Sequence, residues 1–151
     1  MSVASAIIKR MAVYNPWAHF RNEVKWDLIW APLPMEIRAV TDFDRRRVFL
    51  DVSLRQVERR CALAHEIVHI ERGPAPRDAA GYRREEQIVQ RITANRLIGV
   101  DRLAEALAWD SRPGALADEL WVTKDVLLCR LKNLTTAERE RLEEVAHNKN
   151  Q

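Results

Sequence analysis

Residues 61–70 read Cys-Ala-Leu-Ala-His-Glu-Ile-Val-His-Ile, seven apolar side chains around His65, Glu66 and His69. Such a run belongs inside a fold, where two imidazoles and a carboxylate are costly unless paired. Helical spacing sets His65 and His69 on one face, about one turn apart. Both rings can then meet one Zn2+ at about 2.0–2.1 Å. Glu66 stands roughly 100° round the helix from His65, where it reaches a water without binding the ion. This is the H-E-x-x-H pattern, in which two ligands and a general base have separate roles. Satisfied core histidines are the plain alternative. The flanks Cys61, Ala62, Leu63, Ala64, Ile67, Val68 and Ile70 offer few polar partners, which favours a bound cation. Cys61 lies on the same stripe, but it is eight residues from His69, about 12 Å along the axis, and both cannot reach one ion.

A catalytic zinc takes three protein ligands and keeps one position open. The segment after His69, Ile-Glu-Arg-Gly-Pro-Ala-Pro, holds no histidine, which excludes a metzincin-type third ligand. A carboxylate from the following helix is the other common solution, and Glu85 and Glu86 both qualify. The Glu86 face continues through Val89, Thr93 and Leu97, the Glu85 face through Ile88, Val89 and Ile92. Both faces are partly apolar, so periodicity leaves the choice open.

The motif sits in the middle of a chain of 151 residues, the length of one ordinary domain. Asn-Pro-Trp-Ala-His-Phe-Arg opens a short helix with Pro16 in its first turn. Val-Lys-Trp-Asp-Leu-Ile-Trp reads as a strand, and the turn Asp-Phe-Asp-Arg-Arg joins two more in a hairpin. The expected sheet is short and antiparallel. Ser53 is the expected N-cap, with Gln56 at the capping-box position, of a helix over about 54–71. A second long helix is expected over about 78–98 and shorter ones beyond, with Thr123 and Thr135 as N-caps. Strands followed by helices make the fold class α+β. One domain is expected over 1–151: helix and sheet in 1–52, metal-site helices in 53–98, a helical part in 99–151.

Charge adds little. A net charge of +3 and a pI near 9.1 are mildly basic, and the arginines alternate with acids, as solvated faces do. No apolar stretch approaches the roughly 20 residues of a membrane span. The N-terminal segment reads as an amphipathic start, not a secretory signal. Cys61 and Cys129 read as small core residues in a reducing cytosol, so the expected location is cytoplasmic.

The stretches Arg-Arg-Cys-Ala-Leu-Ala-His-Glu-Ile-Val-His-Ile-Glu-Arg-Gly and Glu-Glu-Gln-Ile-Val-Gln-Arg-Ile-Thr-Ala-Asn-Arg-Leu-Ile together resemble the ImmA/IrrE family of metallopeptidases, in the form found in phages of actinobacteria. In that family the H-E-x-x-H helix precedes an acidic helix ending in an apolar pair. Here Glu86, Val89, Thr93 and Leu97–Ile98 match it in order. Val-Phe-Leu-Asp-Val-Ser-Leu resembles the family's edge strand and helix start. The resemblance covers roughly 48–98. Ile67–Val68, Gln90 and Gly99 depart from the usual pattern. It implies a zincin-like fold, one Zn2+ held by His65, His69 and Glu86 (Glu85 as the alternative), and Glu66 as general base. It also implies a protein substrate, a helix-turn-helix repressor.

Tyr82 and the arginines beside it are candidate donors to a developing oxyanion, none of them assigned. Two other readings compete. Segment 115–134 resembles a helix-turn-helix. Its second helix carries Lys124, Asp125, Arg130 and Lys132, only modestly basic, so packing is favoured over DNA binding and nucleic acid is not expected as a partner. A metal-bound interaction protein without turnover would have no use for Glu66 as a base. It would also need a fourth ligand, for which His19 and His147 read as surface positions.

Overall fold

The computed structural model describes residues 13–151, so most of the amphipathic N-terminal start lies outside the described residues. The fold is α+β. Helix α1, Pro16–His19, starts at Asn15, whose side chain accepts from the Ala18 N–H. It runs on through a π-helical turn, Phe20–Val24, that buries Phe20 and stops at Lys25 in the left-handed region. Three strands follow: β1 Asp27–Ala31, β2 Ala39–Asp42 and β3 Arg47–Asp51.

The sheet order is β1-β3-β2. The expected hairpin forms, with β2 antiparallel to β3. The sheet as a whole is mixed, not antiparallel, because β1 pairs with β3 in parallel. The resemblance to an edge strand also fails for Val-Phe-Leu-Asp-Val. Its strand β3 is central, because Val48 and Leu50 are fully buried and a doubly flanked strand covers them best. The edge beside the site is β2.

Helix α2 spans Gln56–Arg72. Its start is not the expected Ser53 cap. Ser53 N–H and Oγ both donate to Asp51 Oδ1 at 2.7 Å, closing a turn. The helix begins after Arg55, whose N–H donates to Glu58 three residues on. It ends at Gly73, where φ of +88° suits a residue without a Cβ. Helix α3, Ala79–Leu97, is capped by the Asp78 carboxylate accepting from the Gly81 N–H at 2.7 Å. Gly81 is required there, since a Cβ would stand 2.8 Å from Pro76 Cβ. Helices α4 Val100–Trp109, α5 Pro113–Glu119, α6 Lys124–Lys132 and α7 Thr136–Lys149 complete the chain. Thr123 and Thr135 cap α6 and α7 as expected.

Two apolar clusters explain why α2 is greasy nearly all round. Leu63 and Ile67 pack with Phe20, Val48, Leu50 and Leu54 under the sheet. Cys61 and Ala64 pack with Leu97, Ile98, Leu103, Leu116, Leu120 and Leu127 under the later helices. A helix gripped from both sides has only a narrow strip left for polar side chains.

The helix-turn-helix-like segment is α5 and α6, a hairpin whose Leu116, Ala117, Leu120, Val122 and Leu127 belong to the second cluster. Arg130 is 2% exposed. Its guanidinium donates to the Ile98 carbonyl at 2.8 Å and to both carboxylate oxygens of Glu138 at 2.9 and 2.7 Å. One of the four charged groups of α6 is therefore spent inside the fold. Among the described residues, no helix is long and apolar enough to cross a membrane.

Candidate metal centre

The narrow polar strip of α2 faces α3. His65 and His69 turn their Nε2 atoms toward each other at 3.1 Å. Glu86 reaches across from α3, with Oε1 2.6 Å from His69 Nε2 and Oε2 3.3 Å from His65 Nε2. One donor atom from each of the three lies within 4.8 Å of the others, and no further residue joins the group among those described.

This donor set fits a divalent cation. Two atoms each about 2.0–2.1 Å from a tetrahedral ion stand about 3.3 Å apart, close to the separation of the two ring nitrogens. Nitrogen, nitrogen and carboxylate oxygen are donors suited to zinc and its neighbours. Hydrogen bonds from His65 and then His69 hold the Glu86 carboxyl far below the usual carboxylate range, against its burial. Burial opposes a charge on His69, but the Glu86 hydrogen bond and the charges of Glu66, Glu86 and Glu85 outweigh it and raise its pKa. The three ligands thus hold a net attraction for positive charge.

Glu85, the alternative third ligand, is elsewhere. Its carboxylate receives two hydrogen bonds from the Arg72 guanidinium at the end of α2. Adjacent residues on a helix point about 100° apart, and the packing of α3 on α2 gives the histidines to Glu86 alone. Cys61 stays outside the cluster, as its distance along the helix requires. His147 is exposed, as expected. His19 is not a surface residue: its side chain is 18% exposed and its Nδ1 shares a 2.7 Å hydrogen bond with the Tyr14 hydroxyl. Neither histidine serves as a fourth ligand.

Glu66 is 7% exposed and stands apart from the three ligands. Its Oε2 accepts a short hydrogen bond from Thr41 Oγ1 on β2. Thr41 is a residue of the candidate site that motif reading misses. Its signal lies in the hairpin register. Thr41 pairs with Val48 and Ala39 with Leu50, and cross-strand partners share a face. Val48 and Leu50 pack on α2, so Thr41 looks toward the same helix.

The cluster opens into a cleft of about 850 Å³ between β2, α2, α3 and α6. Tyr82, one turn before Glu86 on α3, lines it and is half exposed. Burial, then the charges of Glu86 and Glu66, raise the phenol pKa, which keeps it a proton donor. Arg83 and Arg84 do not line the cleft. The outer edge of β2, from Arg38 to Thr41, forms one wall. That edge pairs with no other strand among those described.

Three ligands, a separate carboxylate and an open cleft can together hold a cation and a water while admitting an extended chain. No family model matches the chain, and no curated protein or solved structure matches it.

Proposed function

We propose that this protein is a zinc-dependent endopeptidase of zincin-like fold, working in the cytoplasm on a protein substrate of the helix-turn-helix repressor type. The observation that carries the reading is the convergence of His65, His69 and Glu86 beside a separate, buried Glu66. A site serving structure alone would be closed by a fourth protein ligand, and none is present among the described residues. The repressor-type substrate rests on the resemblance to the ImmA/IrrE family.

In this reading His65, His69 and Glu86 hold one Zn2+. When bound, the ion supplies Lewis acidity, lowering the pKa of a water toward about 7 and favouring negative charge on a carbonyl oxygen. Glu66 takes the proton of the attacking water on its carboxylate and returns it to the leaving amine. Thr41 holds Glu66 in place by donating to Oε2. The outer edge of β2 offers backbone groups to an extended substrate. Tyr82 supplies a hydrogen bond to the developing oxyanion. Cys61, Ala62 and Val126 line the far side of the cleft.

Metal analysis of the purified protein beside His65→Ala, joined to incubation with the repressor encoded next to its gene, tests the proposal. Wild type should carry one zinc and cut the repressor, His65→Ala should carry none, and Glu66→Gln should keep the zinc and lose the cutting. A protein that takes up no zinc when it is supplied would end the reading.

A further inference from the structure

The cleft does not stop at the metal ligands. Past His65 it runs under α6, where Cys61, Ala62, Thr93, Val126 and Cys129 line it. Cys61 is one turn before His65, about 6 Å along α2. Thr93 is two turns past Glu86, about 10 Å along α3. A side chain one residue from a carbonyl held at the ligands reaches over about 5–7 Å, which brings it to this end of the cleft.

The polar groups of Thr93, Thr123 and Cys129 are already engaged, and the Gln90 amide stands on the α3 wall between Glu86 and Thr93. The Thr93 hydroxyl donates to the Val89 carbonyl at 2.7 Å. Thr123 Oγ1 accepts from the Val126 N–H. Asn133 Nδ2 donates to the Cys129 carbonyl at 2.8 Å and lies 3.7 Å from its sulfur. Burial raises both thiol pKa values, so the walls stay neutral. Charge is kept to the rim, where Arg38 stands 4.0 Å from Asp125 and Glu58 is held by Arg55.

We propose that this pocket, closed by Val126 and Cys129 of α6, selects an aliphatic side chain on the residue next to the scissile peptide bond. The helix that resembles part of a DNA-binding motif is then a wall of the substrate site. The inference rests on the endopeptidase reading and adds the chemistry of the residue it cuts beside. Each methylene moved from water into an apolar site tightens binding about fourfold. Leucine in place of alanine should therefore gain a factor in the tens.

Calorimetry on the zinc-loaded protein tests this with two pairs of probes. N-phosphoryl-leucinamide and N-phosphoryl-alaninamide carry the side chain on the leaving side; N-acetyl-leucine and N-acetyl-alanine hydroxamates carry it on the acyl side. Wild type should prefer the leucine member of at least one pair by tens of fold. Cys129→Phe and Val126→Trp should cut that preference below about threefold while zinc content holds. Val126→Ala, which enlarges the pocket, should raise the affinity of N-phosphoryl-phenylalaninamide relative to N-phosphoryl-leucinamide. Equal affinity for leucine and alanine probes, absence of binding by all four, or a preference unchanged in all three variants would overturn the pocket while leaving the zinc site standing. Loss of zinc uptake in wild type would instead remove the peptidase reading, and the pocket's role with it.

Discussion

Thr41 Oγ1 donates to Glu66 Oε2, linking the edge strand β2 to the helix that carries His65 and His69. The two residues are 25 apart in sequence. The contact gives a nearly buried carboxylate a partner that orients it without neutralising it. Thr41→Val keeps the shape and removes the donor. It should lower turnover about tenfold and stability by about 1 kcal/mol, with zinc content unchanged. Thr41→Ser should restore most of the rate. Steady-state kinetics beside metal analysis would reveal a purely structural role if stability alone changed.

Neighbouring glutamates should behave oppositely. Glu86→Ala removes a donor atom, and zinc affinity should fall more than 100-fold, beyond the range seen when only a supporting group around a ligand is lost. Glu85→Ala breaks a partly exposed pair with Arg72, which solvent screens, and should leave stability little changed and zinc bound. Competition titration with a chromogenic chelator separates the two. Zinc loss in Glu85→Ala with retention in Glu86→Ala would reverse the assignment.

Zinc binding should release protons. His69 has its pKa raised, so its proton persists to higher pH than in a free histidine and competes with the ion. Affinity should hold above that raised value and fall about tenfold per pH unit below it. Calorimetry in buffers of different ionisation enthalpy reads the protons released. Binding that ignores pH between 8 and 5 would contradict a histidine-held ion.

The Arg130–Glu138 pair should set part of the acid stability. Arg130 pulls the Glu138 carboxyl down from 4.5 to about 2. A depressed carboxylate stabilises the fold above its unfolded pKa, and the contribution is lost as pH falls from about 4.5 through 2. Glu138→Gln leaves a buried guanidinium short of a charge and should cost about 2–3 kcal/mol at pH 7. Wild type and variant should converge by pH 2 in urea unfolding. A constant gap from pH 7 to 2 would deny the ion pair its role.

Much of this was legible in the chain. The run from Cys61 to Ile70 announces a buried helix with both histidines on one face, and α2 and α3 begin and end within two residues of their expected limits. The Thr123 and Thr135 caps and the β2–β3 hairpin follow from local chemistry in the same way. The start of α2 departs from the expected Ser53 cap because Ser53 finds a nearer partner in Asp51 than in the helix. That contest between two short-range hydrogen bonds is not settled by residue type.

Helix period, caps and turns depend on neighbours within about four residues, and the sequence determines those by itself. It therefore determined the two histidines, the acid between them and a pair of candidate carboxylates. Which carboxylate joins the histidines, which hydroxyl holds Glu66, and that β3 lies between β1 and β2 depended on how α2 is clamped between two apolar clusters. Only the tertiary structure decided them, because burial of apolar surface is non-directional and fixes its geometry only when distant segments pack together.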